Sequence, residues 1–180
     1  MVESAPLIWA WRHPRPEGAQ GRCVGRTDLP VDPRRAKRLA RRIQAAASRH
    51  GLPRVVHTSP LRRCADVGRW LRRWGWRHCI DSRLLEMDFG VWDGRPWHSI
   101  SKPEVDAWCA DFARTAPGGG ECLQAMFERV AVWETTSPCV VVAHAGWMQV
   151  RRWHAARRPA PSKAQEWSAG PVYGEVWRLR

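Results

Sequence analysis

Lysine is almost missing from this 180-residue chain: of its 30 lysines and arginines, all but Lys37, Lys102 and Lys163 are arginine. Arginine, alanine, proline and tryptophan share GC-rich codons, so base composition accounts for much of the net charge of +13 and of the 13 tryptophans. No apolar run is long enough to cross a bilayer, and Leu7 to Trp11, with Glu3 before it, is too short for a signal peptide. A cytoplasmic protein without membrane contact is expected. The six cysteines show no CxxC or CxxH spacing, which argues against a zinc site or a disulfide scaffold and for reduced thiols. There is no P-loop, no closely spaced carboxylate and histidine pair, no internal repeat and no domain boundary. Residues 1–180 therefore read as a single domain, metal-free and cofactor-free, with a 44% hydrophobic composition sufficient for a core.

What is present is a series of short apolar runs, each ending in a polar group. Leu7 to Trp11 ends in Arg12-His13, and Cys139 to Ala143 ends in His144. Val55 to Thr58 leads through Ser59-Pro60, read as a serine cap and a proline inside a helix start, to a helix with Arg63 in its first turn. Ile80 with Leu84-Leu85 reads as a third strand region, ending at Glu86. In open α/β sheets ligands bind beyond the carboxyl ends of the strands, so Arg12, His13, Arg63, Glu86 and His144 converge there.

Helical patterns alternate with these runs. A helix from Pro33 to about Arg49 is capped by Asp32, ended by Gly51, and apolar along Ala36, Leu39, Ala40, Ile43 and Ala47. Its other face, Arg34, Arg35, Lys37, Arg38, Arg41 and Arg42, has no interleaved aromatic for base stacking and reads as a solvated face without nucleic acid. Leu61, Cys64, Val67, Trp70 and Leu71 mark the buried side of the next helix. Further helices are expected over Val105 to Arg114, Cys122 to Trp133 and from His144 through Trp153, and Val172 to Leu179 alternates as an edge strand. The class is α/β.

Arginine suits a tetrahedral phosphate because its planar fork offers paired donors at any working pH. Arg12 and Arg63 supply two such forks. A neutral imidazole at His13 is a nucleophile toward phosphorus, kept unprotonated by the flanking cations, and the intermediate is a phosphohistidine. Glu86 is the acid for the leaving oxygen, protonated in the substrate complex, and His144 donates to an equatorial oxygen as charge builds.

These residues resemble the histidine phosphatase family, also called phosphoglycerate-mutase-like. Arg12-His13 is similar to its nucleophile motif, Ser59-Pro60-Leu61-Arg62-Arg63 to its second arginine motif, Leu85-Glu86 with Phe89-Gly90 to its acid motif, and His144-Ala145-Gly146 to its second histidine. The resemblance covers nearly the whole chain and implies a three-layer α/β/α sandwich with a mostly parallel sheet. It further implies a metal-independent phosphatase, monomeric or homodimeric, acting on a phosphorylated small molecule held by Arg12, Arg63, His144, Cys23 and Ala145. For Cys23 itself, packing is a better account than chemistry. Pro14 stands where most members have glycine, Val67-Gly68 replaces the usual Thr-Ala, Ala145 replaces a glycine, and Gly118 to Gly120 has one glycine more than the common pattern before Glu121. Arg12 to Pro16 with Cys23 to Asp28 is most similar to the α-ribazole phosphatase branch, which makes α-ribazole 5'-phosphate of cobalamin biosynthesis the leading substrate. The alternatives are a broad-specificity small-molecule phosphatase or mutase-like protein, and an inactive phosphate-binding module. Trp92 and Trp97 are candidates to wall the pocket, whereas Trp9, Trp11, Trp70 and Trp147 fit the core.

Overall fold

The structure, a computed structural model, describes residues 7–180; Glu3 lies outside them. In chain order the elements are β1 (Ile8–Arg12), α1 (Pro33–His50), β2 (Val55–Thr58), α2 (Arg62–Arg73), β3 (Arg77–Ile80), α3 (Lys102–Ala110), α4 (Leu123–Ala131), β4 (Cys139–Ala143), α5 (Ala145–Ala155) and β5 (Val176–Leu179). The sheet order is β3-β2-β4-β1-β5, parallel except for β5, which pairs antiparallel with β1.

β4 is buried along its whole length because helices cover both faces of the sheet, so consecutive valines replace the alternation of a half-exposed strand. Val140 and Val142 enter the core under α1 and α2, whereas Cys139, Val141 and Ala143 enter the core under α4 and α5. β1 divides likewise, Trp11 to the first core and Ile8 with Ala10 to the second. The result is the three-layer α/β/α sandwich expected above.

The register carries the strand ends into one place. Arg12 lies opposite Ala143 and Thr58 opposite Val142, so the residues leaving β1, β4 and β2 emerge side by side on one edge. His13 continues the ladder, its N–H donating to the Ala143 carbonyl at 3.0 Å.

Three local expectations need correction. The third strand is Arg77–Ile80 and not the Leu84-Leu85 region; it is an edge strand whose ends are exposed, so no apolar run marks it. Leu84 instead ends a short 3₁₀ turn, started by Asp81 accepting the Arg83 N–H, and drops its side chain into the core. Ser59 is not the cap of α2: Leu61 occupies that position without a side-chain bond. The Arg62 N–H donates at 2.7 Å to Asp28, a carboxylate from the loop after β1. Finally, α3 begins at Lys102 and not Val105, because Ser101 and Glu104 form a reciprocal capping box.

Candidate active site

His13 ends the β1 extension and is only 5% exposed. Its Nδ1 lies 2.8 Å from the Pro14 carbonyl, which can only accept, so Nδ1 carries the hydrogen and Nε2 keeps its lone pair. Burial, then the Arg63 charge and more weakly that of Arg12, hold the His13 imidazole well below its ordinary pKa, against the opposing pull of the Pro14 bond. His144, wholly buried at the end of β4, faces it with ring centroids 5.0 Å apart. Burial and the same arginine charges, Arg63 foremost, keep His144 neutral as well. Its Nδ1 accepts from Arg63 Nε at 3.2 Å, so Nε2 carries the hydrogen; the Cys64 sulfur lies beside the ring, 4.0 Å from Nδ1 and 3.5 Å from Nε2, and donates to the Ala143 carbonyl.

Arg63, in the first turn of α2, is 1% exposed. Besides His144 it donates Nη1 to the Thr27 carbonyl at 2.7 Å and Nη2 to the Gly25 carbonyl. Two of the five N–H groups of a guanidinium remain after these three bonds. Arg12 donates Nη1 to the Pro171 carbonyl at 2.7 Å and lies 3.9 Å above the Tyr173 ring, while its buried Nε has no partner. Among the described residues neither arginine pairs with a carboxylate. Two cations gathered at a buried edge with only neutral acceptors form a site suited to a dianion.

Glu86 is half-buried and lines the same cavity as Arg12. Its carboxylate accepts the Gly146 N–H and the Met87 N–H, both at 3.1 Å. A side chain at Gly146 would fall on the Glu86 Oε1 atom. The backbone before Glu86 is fixed by Arg129, which grips Glu121 through Nε and Nη2 at 2.8 Å and donates Nη1 to the Leu85 carbonyl at 3.0 Å. Gly90, Gly118 and Gly120 bring two backbones together too closely for a Cβ on any of them, clamping the segment after Glu86 to the turn before α4.

The cavity holds about 310 Å³ and is walled by Phe89, Trp97, Trp108, Phe112, Trp167 and Tyr173, with Arg12, Glu86 and Ala145 among its lining residues. His13 adjoins it, its ring 5.6 Å from that of Tyr173. Trp97 thus reaches the cavity, whereas Trp92 does not: it is buried and donates Nε1 to Glu104 at 3.2 Å. Cys23 also stays away, fully buried with Trp92 and Ile100. Burial and then the Asp93 carboxylate push its thiol up to about 12, and its side chain is not among the residues that line the cavity.

Two contributors escape the sequence motifs. Tyr173, the single tyrosine of the chain, returns from the far end on a turn whose Glu175 carbonyl accepts the Arg12 N–H at 2.9 Å. Asp93 accepts from the N–H groups of Gly25 (3.2 Å), Arg26 and Thr27 (3.1 Å) and from the Thr27 hydroxyl, holding the loop that holds Arg63. The Trp92-Asp93-Gly94 turn is the sole sequence signal for it.

Comparison with solved structures finds likeness over nearly the whole chain. Mycobacterial glucosyl-3-phosphoglycerate phosphatase Rv2419c, complexed with VO3, is 25% identical at a TM-score of 0.76, covering 98% of this chain and 93% of that one. The α-ribazole phosphatase from Shigella flexneri is 21% identical with a TM-score of 0.77, over 94% of this chain and 88% of the other. A protein from Thermus thermophilus, TTHB049, is 23% identical with a TM-score of 0.68, over 96% and 98% respectively. Comparison with curated protein sequences returns no match. The model of the histidine phosphatase superfamily (branch 1) matches residues 8–169, from the strand that delivers His13 to beyond the helix that follows His144, and the chain belongs to that superfamily.

Proposed function

We propose that this chain is a metal-independent phosphomonoesterase working through a phosphohistidine at His13, with α-ribazole 5'-phosphate as its substrate. The observation that carries the chemistry is the half-buried Arg12 and the buried Arg63, without an ion pair among the described residues, beside an imidazole whose Nε2 lone pair is free. Nε2 attacks phosphorus, the bond from phosphorus to the ester oxygen breaks, and Glu86 passes its proton to that oxygen. Water then attacks the phosphohistidine while Glu86 takes its proton, the P–N bond breaks, and inorganic phosphate leaves. Arg12, Arg63 and the Nε2–H of His144 bear the equatorial charge.

The substrate reading draws support from the cavity. Six aromatic side chains are among its lining residues, with Phe89 and Trp108 edge to face at 6.1 Å, which suits the flat benzimidazole of α-ribazole better than a polyhydroxylated group. Ala145, at the cavity wall, leaves room for such a ring. The likeness to the α-ribazole phosphatase from Shigella flexneri agrees with it.

The test is phosphate release from α-ribazole 5'-phosphate and from an aryl phosphate, by the wild type and His13→Ala, with EDTA present. The expected result is preferential turnover of α-ribazole 5'-phosphate that falls at least about 1,000-fold in the variant. Turnover of the aryl phosphate alone would discard the substrate and keep the chemistry. Turnover of neither would leave a phosphate-binding module.

A further inference from the structure

A second concavity lies on the other side of Tyr173 from the catalytic cavity. It holds about 330 Å³ and is lined by Arg15 from the loop after His13, by Arg35, Arg38, Leu39 and Arg42 of α1, and by the turn carrying Tyr173 and Gly174. We infer that this cleft is a binding site for a small condensed or multiply phosphorylated anion, separate from the site of phosphoryl transfer.

Four guanidiniums converge on one concave surface, and no carboxylate is among its lining residues. Among the described residues none of the four forms an ion pair. Base composition explains how many arginines the chain has; it does not explain why four of them face one cleft. The arrangement is costly for the free protein. Arg35 and Arg38 are like charges at i,i+3 and Arg38 and Arg42 at i,i+4, and the one carboxylate at the start of α1, the Asp32 cap, is bound to the Arg34 N–H and lies outside the cleft lining. An anion in the cleft relieves that repulsion. The wall opposite the arginines is closely approaching backbone: Gly174 has a φ of 75°, and a Cβ there would come within 3.1 Å of Arg42 Nη1. The size of the cleft suits a few phosphoryl groups, and its one aromatic wall, Tyr173, already stacks with Arg12, which argues against a single-stranded nucleic acid. Because Tyr173 lines both concavities and stacks under Arg12, an occupant of the cleft touches the residue that seats the catalytic guanidinium.

The probe is tripolyphosphate, titrated calorimetrically in metal-free buffer at low salt into the wild type, the double variant Arg35→Gln/Arg38→Gln, and Arg12→Gln, each checked for an unchanged thermal transition. Saturable binding at one site per chain is expected in the wild type and in Arg12→Gln, weakened at least about tenfold in the double variant. The double variant should keep its basal turnover of an aryl phosphate, since neither residue touches the catalytic cavity. Binding lost in Arg12→Gln and kept in the double variant would put the anion in the catalytic cavity and overturn the inference. So would an absence of saturable binding, or duplex DNA binding through these arginines where tripolyphosphate does not.

Discussion

Gly146 shows how one missing side chain positions the carboxylate proposed as the acid. Its N–H holds Glu86 Oε2 at 3.1 Å, and the space a Cβ would need is occupied by Oε1. Gly146→Ala should push Glu86 out of line with the leaving oxygen while Arg12 and Arg63 still grip phosphate. We expect kcat to fall about 10- to 100-fold, with the inhibition constant of inorganic phosphate nearly unchanged; an unchanged kcat would remove the glycine from the account. The five residues proposed to react were readable from sequence because each follows an apolar run or a helix start, where local pattern and chain chemistry coincide. Tyr173 was not, because its place under Arg12 comes from a return across most of the chain. Nor could Trp92 be told from Trp97: a 3₁₀ turn and the chain after it decide which ring faces inward, and neither has a readable period.

At the scale of elements, the loop from Cys23 to Asp28 serves α2 twice, by capping it through Asp28 and by binding Arg63 through two carbonyls. Asp93 holds that loop by its N–H groups. Asp93→Ala should therefore lower stability by about 2–4 kcal/mol, read as a shift in the denaturant midpoint. It should also weaken inhibition by inorganic phosphate, which a merely structural carboxylate would leave alone. Asp93→Asn, able to accept part of the same bonds, should lie between. The elements themselves were legible where burial imposes a pattern: β1, β4 and α1 stand within a residue or so of their expected limits. β3 escapes the sequence pattern because an edge strand needs no apolar run, and the cap of α2 does because Asp28 reaches it from 34 positions away.

Across the whole molecule, burial depresses the pKa of four histidines: His13, His57, His78 and His144. For His78 the displacement is to about 4. A histidine whose folded pKa lies below its unfolded value binds more protons when unfolded, so its stabilising contribution is full above about pH 6.5 and is lost as pH falls toward the folded value. Thermal melting should accordingly be level above about pH 7.5 and decline from about pH 6.5 downward, the His78 share disappearing by about pH 4. A melting temperature unchanged between about pH 7 and pH 5 would contradict this. The sheet order has one more consequence. Among the described residues β1 has no parallel neighbour other than β4, and the two are joined across a long stretch of chain, with Ile8 against Cys139. His13 is therefore synthesised well before the strand that sets His144 beside it, and the two rings can face each other only once that long-range pairing has formed.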